Sequence, residues 1–594
     1  MAFPGWVQWL LKYKGLIFLI FYPILLSPIV IVYNSSEAKG AFALLLMAGY
    51  WITECIPIYV TALLPIVMAP LMGLLSSNNT CIEYMRDSNM LFIGGAFLAV
   101  ATEHRNLHRR IGVAVMQIMG GDPRMLMLGL MLPTWFLSMW MSNAAATIMM
   151  LTIVEALVSR LEAVKPAEGD EEVALTTVKE HKTQDGNGQD AAWLTGDLQS
   201  SESVHTALQS EGQNNTTVDK KGAHNEELRK LAAGLSLGIA FSSSCGGMGT
   251  VIGTPTNVVF YGMVTDKYGS STSLSFGTWA AYAVPVSVLC LFSTWLILCL
   301  MFIGPKKFFR RRGADRARDE AFKAILEDEK RSLGPVKWAE GTCMAVLAFV
   351  VLLWISREPG APGWSRIMPK VMRNGKLAPL VTDTQPAILG TVLFMVLPAY
   401  NPFAKKKRDG TVADPKEAVL PWKVAQSRCP WGVLILIGGG FALSKMCSVS
   451  GLSTVVGENL IALKSLPVIA LVYVITIIGS TITTFVANAA TATVLLPIMF
   501  QLAETIHVHP FSLGLPVTIA ASLAFILPAA TPANAIVFGK GRVKMNEMIL
   551  SGLIVCLAGQ LVTVFCSSTY AVPLFDLNTY PAWAPNVTID GGGN

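Results

Sequence analysis

Ser142-Asn143-Ala144-Ala145-Ala146-Thr147 and Ala487-Asn488-Ala489-Ala490-Thr491-Ala492 decide the fold, because each stands in the same company. Upstream of the first lies Phe92-Ile93-Gly94-Gly95-Ala96-Phe97. Upstream of the second lies Leu436-Ile437-Gly438-Gly439-Gly440-Phe441. Downstream, Thr254-Pro255-Thr256-Asn257 is echoed by Thr531-Pro532-Ala533-Asn534. Gly94 to Asn143 is 49 positions, and Gly438 to Asn488 is 50. Asn143 to Asn257 is 114 positions, against 46 from Asn488 to Asn534. The excess of 68 is about the length of a polar stretch at 160–228. One short motif recurs by chance. Three in one order at matched spacing mark an internal duplication.

Composition says what was duplicated. The 594 residues are 53% hydrophobic and 14% charged, with a mean hydropathy of +0.51. An ordinary soluble domain is roughly a quarter charged. A soluble enzyme, a disordered chain and a collagen-like fibre are excluded, and a multi-spanning α-helical membrane protein is left. The net charge of +6 sits in loops, so it bears on membrane orientation and not on nucleic acid. The 10 cysteines are scattered, without CxxC or His/Cys metal spacing, and predict neither a disulfide framework nor a zinc site.

A bilayer core takes about 20 apolar residues per helix. The stretch from Gly15 to Ser36 is charge-free and too long for a signal peptide's apolar region, so it reads as a first span. Further charge-free runs are 55–82, 125–154, 231–265, 268–305, 341–356, 384–404, 465–503, 505–539 and 548–575, with shorter candidates at 40–53 and 88–101. Basic clusters at Lys12/Lys14, Arg105–Arg110, Lys306–Arg318, Lys405–Arg408 and Lys540–Lys544 belong in the cytoplasm. They fall on one side only if runs 125–154 and 465–503 are re-entrant hairpins, tolerated where protein or water covers the turn. The expectation is eleven crossings and two hairpins, one crossing more than the ten that the named runs supply, with the N-terminus inside and the C-terminus outside. Asn586-Val587-Thr588 would then be an external glycosylation signal, as would Asn34-Ser35-Ser36 and Asn78-Asn79-Thr80. Arg366, Lys370 and Arg373 fall outside against the rule. The first hairpin enters from the cytoplasm and the second from outside, so the halves are inverted, a secondary-transporter architecture.

The expected organisation is a first repeat at 1–159 and a disordered polar cytoplasmic loop at 160–228. The end of the first repeat follows at 229–303, then a cytoplasmic surface helix at 304–337. The second repeat takes 338–575, and an extracellular tail 576–594.

The motifs have a chemistry in common. Proline removes an N–H and breaks each helix mid-run at Thr254-Pro255 and Thr531-Pro532. The freed carbonyls, with Asn, Ser and Thr oxygens, suit a small dehydrated cation such as Na⁺. Helix N-termini suit a carboxylate or a sulfate. Taken singly, small residues at a hairpin tip only allow close packing, and Thr-Pro is only a kink. Tip and break together, twice, favour a binding site. The repeat cores hold no carboxylate, and Glu54 and Glu155 fall at or near span ends, which favours Na⁺ over H⁺. His507 and His509 read as solvated loop residues. No phosphate loop or nucleophilic triad appears, so neither ATP-driven transport nor an enzyme is expected.

Tyr50-Trp51-Ile52-Thr53-Glu54-Cys55-Ile56-Pro57, the stretch Leu98–Arg110, Ser138-Met139-Trp140-Met141-Ser142-Asn143, Gly438-Gly439-Gly440-Phe441-Ala442-Leu443 and Ala530–Phe538 carry a resemblance. Over about 15–575, excluding the insert, the chain resembles the divalent anion:sodium symporter family, specifically its animal sodium-coupled di- and tricarboxylate transporters. The resemblance implies a plasma-membrane homodimer whose mobile domain carries succinate, citrate or related anions with Na⁺ by an elevator-like movement. No organic cofactor is implied. It implies a first sodium site at Ser138, Ser142, Asn143 and Gly253, and a second at Thr483, Val486, Asn488 and Ala530. Substrate contacts would fall on Asn143, Asn488, Thr531 and Pro532, and on tip positions Ala144, Ala487 and Ala489. The family usually reads Ser-Asn-Thr at the first tip, where the third residue here is Ala144, and begins the second tip with Ser, where this chain has Ala487; Ala489 also lacks a hydroxyl, so at least two expected hydroxyls are gone. Their loss leaves a sulfate transporter or a sodium-independent exchanger of the same fold open as alternatives, and a non-transporting sensor less so.

Overall fold

The structure is a computed structural model. It describes residues 5–117, 122–163, 203–269, 272–309, 316–357, 363–373, 376–402, 417–452, 454–455 and 466–585. Asn586 and most of the polar insert lie outside them.

Seven described helices are long and apolar enough to cross a membrane: Lys12–Tyr33, Glu226–Met248, Phe276–Ile303, Trp338–Arg357, Trp431–Val449, Val468–Phe485 and Met545–Ser568. Ile58–Leu71, Asn143–Ser159, Thr384–Val396 and Pro510–Ala520 are apolar but shorter. In chain order, the first helices are α1 (Gly5–Tyr33), α2 (Ser36–Thr53), α3 (Ile58–Thr61), α4 (Leu64–Leu71), α5 (Ser77–Ile82), α6 (Asp87–His104) and α7 (Leu107–Met116). Run 55–82 is thus three short helices. Pro57 caps the first and Pro65 opens the second, and each removes a ladder donor.

Next come α8 (Pro123–Ser138) and α9 (Asn143–Ala163), separated by four residues at the first Asn motif. Helix α10 (Ser203–Met248) begins inside the polar insert and ends at the first break; α11 (Pro255–Tyr268) resumes after it. Then follow α12 (Phe276–Leu298), α13 (Pro305–Phe309), α14 (Arg316–Leu333) and α15 (Trp338–Arg357). The loop before α16 (Thr384–Val396) carries the one departure from helix among the named elements. It is an antiparallel pair, β1 (Lys370–Arg373) and β2 (Lys376–Pro379), in register Lys370 to Pro379 and Arg373 to Lys376.

The rest repeats the plan. Helices α17 (Trp422–Arg428) and α18 (Trp431–Val449) precede α19 (Val468–Phe485) and α20 (Asn488–Thr505), which are separated only by Val486 and Ala487. Helix α21 (Pro510–Ala520) is broken from α22 (Pro532–Gly539), and α23 (Met545–Ser568) and α24 (Ala571–Phe575) close the chain.

Burial follows from this order. Helix α1 is bare, with Leu25, Ile31 and Val32 each more than 70% exposed. Such surface belongs against hydrocarbon. The apolar part of α10 is the opposite case, with its spanning window wholly buried. It packs on α8, α9 and α12. In the second half α21 packs on α19, α20 and α23. Each hairpin therefore lies with both arms on the broken helix of its own half.

Candidate functional site

The candidate site comprises two hairpin tips, each set against the broken helix of its own half. In the first tip Ser138 is buried at the end of α8, and its hydroxyl donates to Asn143 Oδ1 at 2.6 Å. In the second, Thr483 is buried five residues before Asn488, and its hydroxyl donates to Asn488 Oδ1 at 2.9 Å. Both asparagines are half-buried at the first position of their helices.

The breaks supply backbone oxygens. Gly253 lies buried between α10 and α11, four residues before Asn257. A Cβ on Gly247 would stand 2.6 Å from Asn143 Oδ1 and 3.2 Å from the Gly253 carbonyl, so that carbonyl and the Asn143 amide face one small space. Thr250 closes the arrangement, donating to the Met139 carbonyl in the tip at 2.5 Å. In the second half, Ala530 stands four residues before Asn534 in a short turn (Pro528–Ala530) that packs on α19. Thr483 also reaches the Ala521 carbonyl at 2.6 Å. Val486 holds extended backbone at the tip, its N–H bonded to Ile482. Side-chain oxygens and broken-helix carbonyls are the kind of ligand a hard cation takes.

The four helix N-termini are capped unequally. Ser142 accepts from Ala145 N at 3.3 Å and caps α9. Ala487 makes no side-chain cap, so the first N–H groups of α20 have no capping side chain. Thr531 accepts from Asn534 N at 3.2 Å and caps α22. Thr254, buried and extended, caps nothing at α11. Each half has one occupied and one open N-terminus. Ala144 and Pro255 are half-buried, Ala489 is buried and Pro532 is exposed.

The two halves cross over. Helix α9 packs on α22, and α20 on α11. At the far end of the first pair Lys540 meets Glu155 at 2.9 Å. At the far end of the second Lys267 meets Glu504 at 2.8 Å, and Tyr268 donates to that carboxylate at 2.6 Å. Phe241 of α10 meets Phe525, in the break after α21, edge to face at 5.1 Å.

Sequence reasoning missed Thr250, Gly247 and both cross-half ion pairs. Thr250 stands three residues before Gly253, and a threonine in a break was the available signal. Glu504, 2% exposed, directly follows run 465–503. Glu54 is exposed, in left-handed backbone at φ 46°. His507 is exposed as expected. His509 is a correction: it is 3% exposed, packed on Phe511 and Trp583, and its Nδ1 accepts from Phe511 N at 3.0 Å. The chain needed a cap for α21, and the imidazole supplies it.

A helical membrane protein of two matched halves, each with a tip and a break, is of the secondary-transporter class. The model of the sodium:sulfate symporter transmembrane region matches residues 8–577, and the chain belongs to that family. It is 35% identical to mouse solute carrier family 13 member 2, over 98% of this chain and 99% of that one. It is 34% identical to the rat Na(+)/citrate cotransporter, over 96% and 97%. It is 35% identical to mouse Na(+)/dicarboxylate cotransporter 3, over 96% and 94%. In fold it is similar to the YdaH transporter of Alcanivorax borkumensis, with a TM-score of 0.50, 12% identity, and coverage of 84% and 88%.

Proposed function

We propose that this chain is a secondary active symporter that moves di- and tricarboxylates, succinate and citrate among them, inward with Na⁺ across the plasma membrane. The observation that carries the reading is the twinned nest: Ser138 on Asn143 beside Gly253, and Thr483 on Asn488 near Ala530. Each nest takes one sodium ion. Between them Asn143 and Asn488 present amide N–H groups to substrate carboxylates. The open N-termini of α20 and α11 add backbone donors and a positive dipole end.

Coupling follows from the shared asparagines. Each side chain offers Oδ1 to sodium and Nδ2 to the anion. Sodium fixes the amide plane, so the anion binds well only to the loaded nests, and the reciprocal holds. A loaded site has lost much of its charge, which lowers the cost of moving it through hydrocarbon. A mobile domain that carries both nests then moves against a scaffold domain within a homodimer, with eleven crossings, a cytoplasmic N-terminus and an external C-terminus.

Proteoliposomes test the reading. Labelled succinate and citrate should accumulate with an inward sodium gradient and not in choline. Uptake that persists in choline would make the protein an exchanger. Labelled sulfate uptake that succinate and citrate fail to displace would make it a sulfate carrier. Absence of both flux and displacement would overturn transport altogether.

A further inference from the structure

Asn257 and Asn534 lie deep behind the two nests, and each is 0% exposed. The Nδ2 of Asn257 donates to the carbonyls of Gly247 at 3.1 Å, Met248 at 3.2 Å and Thr250 at 2.7 Å. The Nδ2 of Asn534 donates to the carbonyls of Ala524 at 2.9 Å and Leu527 at 3.1 Å. The offsets of ten and seven residues are common to both halves. Gly247 and Met248 end α10, and Thr250, Ala524 and Leu527 lie in the breaks, where Thr250 and Leu527 each accept one turn N–H besides, from Gly253 and Ala530; at that depth water does not serve what the broken ladder leaves over. The Oδ1 of each asparagine accepts nothing among the described residues. A buried acceptor without a partner is costly. A packing role alone would be met by leucine without that cost. What both halves keep is an amide used only as a donor.

We infer that Asn257 and Asn534 are the positioning residues of the sodium nests: each ties the loop of its broken helix into the shape that offers carbonyl oxygens to the ion. The inference rests on the sodium-site reading above. The route is explicit in the first half. Gly247, whose carbonyl Asn257 holds, abuts both the Asn143 amide and the Gly253 carbonyl. Thr250, whose carbonyl it also holds, fixes the Met139 carbonyl at the tip with its hydroxyl. Releasing the Asn257 amide therefore loosens the tip and the break together. In the second half Thr483 joins Asn488 to the Ala521 carbonyl, three residues before Ala524.

Sodium itself is the probe. Asn257→Leu removes the donor at similar volume, and Asn257→Asp sets carboxylate oxygen against three carbonyls. In full-length protein, sodium titration without substrate is read by intrinsic tryptophan fluorescence, to which Trp135 at the end of α8 and Trp140 in the first tip contribute. It is paired with the sodium dependence of succinate uptake. Both variants should raise the half-saturating sodium concentration about tenfold or more, while the succinate KM at saturating sodium stays within about threefold. Thr250→Val, which cuts only the hydroxyl link, should raise it by a smaller factor. If either asparagine variant fails to fold, Thr250→Val and Asn534→Leu carry the test. Folded variants with an unchanged half-saturating concentration overturn the inference. Asn143→Ala separates it from its foundation. If that change leaves the sodium response intact, the site reading falls and this inference with it. If it abolishes the response while Asn257→Leu does not shift it, only the positioning role falls.

Discussion

Asn143 and Asn488 each accept a hydroxyl five residues upstream and stand at a helix start; on the proposed function, one amide serves ion and anion at once. Asn143→Ala and Asn488→Ala should each abolish flux while leaving a monodisperse, folded protein, as measured by uptake and size exclusion. Normal uptake in both would count against the site. The alanines nearby invite the opposite experiment. Ala487→Ser restores a cap that Ser142 already supplies in the other half, and N-caps contribute about 1 kcal/mol. A raised melting temperature with altered citrate-to-succinate preference is expected. A cap gained with selectivity unchanged would show that the open N-terminus does not meet the anion. The asparagines were legible because they are duplicated with their surroundings. Thr250 was not, because its importance lies in a bond to Met139, 111 positions away.

At the scale of elements, close approach is specified by glycine and end-capping by unexpected residues. A Cβ on Gly246 would stand 2.1 Å from the Trp135 carbonyl, which is backbone and has no room to yield. Gly246→Ala should part α8 from α10 and collapse expression of folded protein. Gly539→Ala, with nothing within 4 Å, should be silent. Fluorescence-detected size exclusion of the two variants reads this directly, and equal profiles would refute it. His509 makes a second element-level case. It lies in the loop before α21, and burial pushes its pKa down to about 4, with Asp576 opposing weakly. A histidine whose folded pKa lies below its unfolded value binds fewer protons when folded. Its contribution is complete above about pH 6.5 and is lost as the pH falls from there toward about 4. Melting temperature should fall over that window, by the equivalent of about 1–2 kcal/mol at pH 5. His509→Asn, which can keep an acceptor for Phe511 N, should flatten the slope. An unchanged slope would assign the acid sensitivity elsewhere. Most helix positions are legible from charge-free runs. Helix α18 is not, because Lys445 interrupts its apolar stretch, and the division of run 55–82 is not, because the absence of charge says nothing of where Pro57 and Pro65 fall.

Across the whole molecule the sequence reading of two halves rested on motif order, and what joins the halves lay beyond it. Tertiary pairs such as Arg357 with Asp383 at 2.6 Å, both buried, have no local signature. Asp383 also accepts from Tyr261 at 2.7 Å and from Phe276 N at 2.8 Å, so one carboxylate gathers α11, α12, α15 and the start of α16. Asp383→Asn should cost about 3–5 kcal/mol by leaving a buried cation uncompensated. An undiminished melting temperature would contradict that. The cross-half pairs carry the argument about sidedness. Glu155–Lys540 and Lys267–Glu504 join corresponding elements, a hairpin's second arm to the other half's post-break helix. If the halves are inverted, the two pairs lie at opposite membrane faces, with Lys540 inside among its basic neighbours and Lys267 outside. Of the cysteines, Cys81 alone is exposed, so Cys81→Ser clears the background for an impermeant maleimide. In that background Lys267→Cys should label in intact cells, and Lys540→Cys only after permeabilisation. Labelling of both from one side would mean the halves run parallel. An antiparallel mobile unit that shows the same nest to each face in turn would then be untenable.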